Sequence, residues 1–340
     1  MTSLPFIARN ENIARYEKGQ VAILDRRVYP FKTSFVRCRT VEDVARAIEN
    51  MVTQSYGPAL AASYGMAQAA RQSAKSSGEK IFSDLEKACA RLIATRPTNN
   101  LIRLKVEHLL DAGKLAINRG EDVEQALLEE IELDLAHGEE RSTALGTYAA
   151  SLIQDGDTIL THCWPDSSIV YTAMVALNQG KKLKAYCDET RPYLQGARLT
   201  ADALGEMGVD TTVITDGMPA ALMSRGMIDS FFAGSDRVTM SGHVVNKIGT
   251  LQVAISAHTF GVPFYAFIYG PDQDALTPDD VVIEERDPNE VLFCLGKRTA
   301  TTRAKGYYPA FDITPPKYVS ALVTDRGIFS PYSASDYYSI

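Results

Sequence analysis

The chain lacks any apolar run of about 18 residues, so neither a membrane-spanning helix nor a membrane partner is expected. Its start, Met1-Thr2-Ser3-Leu4-Pro5-Phe6-Ile7-Ala8-Arg9, has no charged stretch followed by an apolar core, and no export signal is expected. Cysteine is sparse: five residues (Cys38, Cys89, Cys163, Cys187, Cys294), an odd count without a Cys-x-x-Cys pair. Reduced thiols of a cytoplasmic protein account for this better than a disulfide framework. The five histidines are scattered, with no His-x-x-x-His spacing, so no metal site is expected. No Gly-x-Gly-x-x-Gly follows any strand-like run, which disfavours a nicotinamide dehydrogenase. Positive charge is also short. A net charge of -7 leaves no broad basic field, so nucleic acid is not expected as a partner and any anion must be met by a local cluster.

What is present divides in two. A chain of 340 residues is comfortable for two domains. Over residues 1–140 the pattern predicts a small β element, with strands near Val21–Asp25 and Phe35–Cys38, followed by a helical bundle. Thr40 and Asp43 form a capping-type helix start. Helices are expected through 44–51, 58–73, 77–93, 99–119 and 122–141, broken at Arg96-Pro97-Thr98-Asn99. From Ala144 short apolar strands alternate with helices. The strands are expected at 158–161, 184–187, 211–215, 228–233 and 264–268. That alternation predicts an α/β fold whose residues 141–340 form a doubly wound, Rossmann-like parallel sheet. The Ser- and Tyr-rich tail, Pro331 to Ile340, is expected to wrap a neighbour or fray.

The polar residues of note fall at one edge of that sheet, the carboxyl ends of the strands, where small ligands bind in open α/β folds. Strand 228–233 runs into Gly234-Ser235-Asp236-Arg237, and Asn246-Lys247-Ile248-Gly249-Thr250 opens the next helix. Helix-terminal N–H groups beside a lysine suit a phosphate; a capped turn with a surface Asp and Lys is the plain alternative. Strand 158–161 ends at His162-Cys163-Trp164-Pro165-Asp166-Ser167, with Pro165 expected in the first turn of a helix and Asp166 and Ser167 in that turn or as its cap. Cys163 would then feel a helix dipole that lowers its pKa. A small packing cysteine is the other reading. Cys163 and Asp236, on neighbouring strand ends, can form an acid/base pair without metal or nucleotide.

Asp188-Glu189-Thr190-Arg191-Pro192-Tyr193-Leu194-Gln195-Gly196-Ala197-Arg198 resembles the signature of the methylthioribose-1-phosphate isomerases. Leu160-Thr161-His162-Cys163, Gly234-Ser235-Asp236-Arg237, Asn246-Lys247-Ile248-Gly249-Thr250 and Pro309-Ala310-Phe311-Asp312 resemble its other motifs in order and spacing, over nearly the whole chain. The superfamily also holds ribose-1,5-bisphosphate isomerases, 5-deoxyribose-1-phosphate isomerases and regulatory subunits of translation-initiation factor 2B. The resemblance implies a homodimeric, cofactor-free enzyme that converts an aldose 1-phosphate to a ketose 1-phosphate, with the sugar phosphate as its small-molecule partner. Cys163 and Asp236 match the family's catalytic pair. A sugar phosphorylated at C1 has no free aldehyde, so one group must protonate the ring oxygen and another must move hydrogen between C2 and C1. A partly desolvated Asp236 would hold the first proton, leaving Cys163 as base at C2.

Two departures bear on substrate. Met51-Val52-Thr53-Gln54-Ser55-Tyr56-Gly57 stands where the family carries an Arg-containing phosphate loop, so Gln54 and Ser55 replace a guanidinium. Trp164, the single tryptophan, follows the cysteine where the family prefers small residues; it either lines the substrate with Tyr56 or packs between helices. The phosphate is left to Arg96, Gln195, Asn246, Lys247 and backbone N–H groups. Methylthioribose 1-phosphate is the leading substrate, 5-deoxyribose 1-phosphate and ribose 1,5-bisphosphate the alternatives. A non-catalytic, ligand-sensing regulatory subunit is the alternative of another class, against which the Cys163/Asp236 pair argues.

Overall fold

The computed structural model describes residues 2–96 and 100–339. The chain divides into two compact units, one of Phe6–Glu139 and one of Glu140–Ile340 joined by the first five residues. Beyond Arg96, the break expected at residues 97–99 lies outside the described residues.

The N-terminal unit begins with a single helical turn, α1 (Asn10–Ile13), and an antiparallel sheet of β1 (Ala14–Glu17), β2 (Gln20–Leu24) and β3 (Phe35–Cys38). Its helices are α2 (Val41–Glu49), α3 (Gly57–Ser73), α4 (Gly78–Ile93), α5 (Asn100–Arg119) and the first part of α6 (Val123–Ser151). The start of α2 carries the expected reciprocal cap: Thr40 Oγ1 accepts the Asp43 N–H at 3.1 Å and the Asp43 carboxylate accepts the Thr40 N–H at 3.0 Å. Helix α3, rich in alanine, is buried on nearly every face and forms the axis of the bundle. Helix α6 runs ten residues past its expected end at Arg141. Leu145, Ala149 and Ala150 are fully buried, so the helical face continues where composition alone suggested a change.

The C-terminal unit is built on strands β4 (Thr158–His162), β5 (Lys184–Asp188), β6 (Asp210–Ile214), β7 (Ser230–Ala233) and β10 (Phe264–Phe267), with α7 (Ser167–Asn178), α8 (Ala201–Glu206), α9 (Pro219–Met223) and α10 (Thr250–Thr259) in the connections. A small sheet is made from β8 (Arg237–Val238), β9 (Val244–Lys247) and, much later, β13 (Phe311–Thr314). Between β10 and β13 comes the two-stranded ribbon of β11 (Phe293–Cys294) and β12 (Lys297–Arg298). The last strands are β14 (Ala321–Val323) and β15 (Ile328–Phe329).

Among the described residues, the large sheet has the order β6-β5-β4-β7-β10-β14-β15, parallel except for β15. The five expected strands are all present, and β14 and β15 extend them. Starting at β4, the chain builds outward through β5 and β6, then returns to β7 on the other flank. The reversal of direction, between β4 and β7, is the topological switch point of a doubly wound sheet. Phe231, Phe232 and Ala233 of β7 are fully buried, as a central strand covered on both faces requires.

Three local expectations are corrected. Helix α7 begins at Ser167, so Pro165 lies before the helix, and Asp166 (φ 55°) makes no side-chain cap. Asn246 and Lys247 lie on β9 and not at a helix start: the β-branched Val244 and Val245 pair with Val238 and Arg237 of β8. The tail is packed on its own unit. Tyr337 is buried, and its hydroxyl donates to the Tyr269 carbonyl at 3.1 Å or to Asp325 at 3.0 Å while accepting from Arg141 at 3.3 Å. None of the helices among the described residues is long and apolar enough to cross a membrane.

Candidate active site

The site is built from the carboxyl ends of the strands that flank the switch point. His162 closes β4, and register pairs it with Ala233 of β7. Cys163 follows β4, and Asp236 follows β7 by three residues. Cys163 (φ 64°), Asp166 (φ 55°), Thr190 (φ 61°) and Leu194 (φ 64°) all hold left-handed backbone conformations, unusual for non-glycine residues. Such strain gathers where the surroundings enforce a functional geometry.

Those surroundings can be named. The Cys163 N–H donates to Thr190 Oγ1 at 2.9 Å, and the Thr200 hydroxyl donates to the Cys163 carbonyl. Asp216, after β6, accepts the N–H groups of Thr190 and Arg191, one on each carboxylate oxygen, at 2.7 Å. His162 is buried, with Nδ1 3.0 Å from Asp188 Oδ2 and Nε2 3.0 Å from the Ile248 carbonyl. Gly249 (φ 105°) lies so close to this ring that a Cβ there would come within 2.9 Å of it. His162, Asp188 and Asp216 place ligand-type atoms within 4.8 Å of one another. Both ring nitrogens and both Asp216 oxygens are already engaged by the protein, so the trio is a hydrogen-bonded cluster rather than a cation cage.

Charge at the thiol contradicts one expectation. Burial pushes Cys163 up to about 11; the Lys247 ammonium and the Trp164 N–H pull it down, and Asp236 and Asp216 push it further up. Removal from water is the largest influence on the sulfur of this half-buried residue, and helix α7 starts only four residues on, at Ser167. The same balance shows that Lys247, Asp236 and Asp216 all act on the sulfur. Asp236 itself is exposed, not partly desolvated as the sequence suggested, and its N–H donates to Val245 at 2.9 Å.

The other residues named from sequence fall into two groups. In the C-terminal unit, Trp164, Gln195, Asn246 and Lys247 are all buried. Lys247 lies 4.4 Å from the centroid of the Phe311 ring, and the Asn246 amide donates to Thr250 Oγ1 at 2.9 Å. In the N-terminal unit, Arg96 reaches Met51 Sδ at 3.4 Å, which sets it beside the segment carrying Gln54, Ser55 and Tyr56. Gln54 is buried and its carbonyl accepts from Arg26 at 2.8 Å; Ser55 is exposed with φ 56°, and Tyr56 immediately precedes α3 and makes no side-chain cap.

The start of α10, expected to meet phosphate, is already held by a carboxylate. Asp312 accepts the Gly249 and Leu251 N–H groups at 2.8 and 3.1 Å. Sequence reasoning also passed over His162, Thr190 and Tyr308. Tyr308 is buried, and among the described residues its hydroxyl has no hydrogen-bond partner. Burial raises its pKa, Arg286 opposes, and Glu290 and Cys163 add to the rise, which puts the phenol within electrostatic reach of the thiol. The motif lay next to Pro309-Ala310-Phe311-Asp312, but a lone tyrosine carries no sequence signal.

An open α/β sheet with an acid/base cluster at its switch point defines the class: a metabolic enzyme acting on a small ligand. The initiation factor 2 subunit family matches residues 52–331. A methylthioribose-1-phosphate isomerase of Roseiflexus castenholzii is 38% identical over 93% of this chain and 94% of its own. The crystal structure of 5-methylthioribose 1-phosphate isomerase from Pyrococcus horikoshii superposes with a TM-score of 0.85 at 31% identity, over 99% of this chain and 96% of its own. That of the translation initiation factor eIF-2B, subunit delta, from A. fulgidus gives 0.83 at 33% identity, over 99% and 100%. The chain belongs to the initiation factor 2 subunit family and, within it, to the methylthioribose-1-phosphate isomerases. It is an isomerase.

Proposed function

We propose that this isomerase converts 5-methylthioribose 1-phosphate to 5-methylthioribulose 1-phosphate, with Cys163 and Asp236 as its acid/base pair. The observation that carries the reading is the placement of both residues on adjacent strand ends at the switch point, with Lys247 acting on the same sulfur. In the reaction the ring C1–O bond breaks and the ring oxygen gains a proton. The hydrogen on C2 leaves and C1 gains one; the C2 hydroxyl gives up its proton as it becomes a carbonyl, restoring the proton spent on the ring oxygen, and C1 becomes a methylene that keeps its phosphate. A thiol that burial holds at about 11 enters with its proton on. That suits donation to the ring oxygen, and the base role at C2 passes to Asp236, the reverse of the sequence-based assignment. Lys247, Gln195 and Asn246 are proposed to read the phosphate and hydroxyls, and Trp164 the C5 substituent. Gln54, Ser55, Tyr56 and Arg96 are proposed as further substrate contacts.

NMR assay of pentose 1-phosphates differing only at C5 tests the substrate. Conversion of the methylthio compound in preference to the 5-deoxy compound and the 1,5-bisphosphate is expected. Cys163→Ala and Asp236→Asn should each lower turnover by about 10²–10⁴-fold with the fold intact. Near-native turnover by either variant would remove that residue from the pair.

A further inference from the structure

The buried ring of His162 ties together three strand-end segments, and its protons can be counted. A carbonyl oxygen only accepts, so Nε2, 3.0 Å from the Ile248 oxygen, must carry a hydrogen. Nδ1 faces Asp188 Oδ2 at 3.0 Å, so a second proton lies between imidazole and carboxyl. The side chains of His162 and Asp188 are 1% and 0% exposed, and Asp188 Oδ1 has no hydrogen-bond partner among the described residues. A buried carboxylate so poorly bonded needs an adjacent cation. We infer that His162 and Asp188 form an imidazolium–carboxylate pair that positions the isomerase site, locking the Cys163, Asp188–Thr190 and Ile248–Gly249 backbones to one another.

The connections run directly to the reacting groups. His162 is the residue before Cys163. Asp188 leads to Thr190, whose hydroxyl donates to the Asp188 carbonyl at 3.1 Å and accepts the Cys163 N–H. Ile248 follows Lys247, and its N–H donates to the Ala310 carbonyl at 3.0 Å. Gly249 and Gly196 make the packing possible, since a Cβ at either would strike the ring or, at 1.7 Å, the Asp188 carbonyl. Desolvation disfavours the imidazolium, but the hydrogen bond and charge of Asp188, with the charge of Asp216, outweigh it and raise the pKa of His162. Burial lifts Asp188 to about 6 against the His162 hydrogen bond, and Asp216 and Glu189 add to the rise. Asp312, from β13, also feels the ring's charge.

The inference rests on the isomerase reading for its kinetic arm only. In nitrogen NMR of the full chain with labelled histidine, the signals lost in His162→Gln identify the ring among five histidines. Both of its nitrogens should be protonated near neutral pH. A ring with one protonated nitrogen would overturn the ion pair, whatever the enzyme turns over. Asp188→Asn keeps a hydrogen bond to Nδ1, so it should retain most of the turnover. Asp188→Ala and His162→Gln, which leave a buried group unmatched, should lower kcat by about 10²-fold, the scale of a small misplacement. In that case KM should change little, because the phosphate contacts stay. Unchanged kcat in both variants, each shown folded by its thermal transition, would overturn the positioning role. Failure to turn over any pentose 1-phosphate, with the NMR result intact, would overturn the proposed function instead.

Discussion

At Cys163 two demands on one residue conflict. Acid/base work needs a thiol that can exchange its proton, and burial holds that proton on up to about 11. The Lys247 ammonium is the main opposing charge and is itself buried beneath the Phe311 ring. An ordinary cysteine titrates near 8.5, so the thiolate fraction of Cys163 at mildly alkaline pH falls well below that of an ordinary thiol. Alkylation by iodoacetamide, followed by peptide mass spectrometry, should therefore be slow at Cys163 and accelerate only as pH approaches about 11. Lys247→Met should slow it further, because the largest charge favouring the thiolate is gone. Rapid alkylation of Cys163 at neutral pH would show that the sulfur is better solvated than its surroundings indicate.

At the scale of elements, helix α10 shows how a half-buried carboxyl can stabilise a start and cost stability with pH. Asp312 bonds the first N–H groups of the helix, yet burial still raises it to about 6, against those bonds and the charges of His162 and Lys247. The folded-state value exceeds the unfolded value, near 3.9. The folded chain then binds more protons than the unfolded chain between those values, so this group's contribution is complete below about 4 and is lost as pH rises through about 6. Thermal unfolding of the wild type and Asp312→Asn should show the wild type's advantage shrinking over that window. An advantage that grows with pH would reverse the sign. The same helix marks what sequence could reveal. Apolar runs separated by helical spacing made β4, β5, β7 and β10 legible, because buried parallel strands write their burial directly into composition; β6, an edge strand with only Ile214 buried, was legible from its β-branched Thr-Thr-Val-Ile run instead. The β8-β9-β13 sheet was not legible: Phe311 pairs with Lys247 across more than sixty positions of chain, and no local pattern encodes that partner. Cys163 and Asp236 stood out by chemistry at strand ends. His162 did not, since its role exists only once Asp188 and Ile248 are brought to it.

For the whole molecule, the tail and the loops before it bear on assembly. Tyr337 is consumed inside its own unit, so it cannot serve the neighbour that the sequence invited for it. Tyr332 remains 72% exposed, and Leu276, Val282, Leu295 and Tyr307 of the same unit are each more than 60% exposed. Scattered apolar residues are normal on a surface; these five, all within the last 65 residues of the chain, are the candidates for a contact with a second copy. A net charge of -7 opposes non-specific clumping, which favours a defined contact over aggregation. We expect a homodimer, with a mass of twice 37.2 kDa in sedimentation equilibrium at micromolar concentration. Replacing Tyr307 and Leu295 by serine should shift the distribution toward 37.2 kDa without moving the thermal transition of the sheet. A wild type that sediments as a monomer would leave those side chains to another partner. A dimer indifferent to both replacements would place its interface elsewhere on the chain.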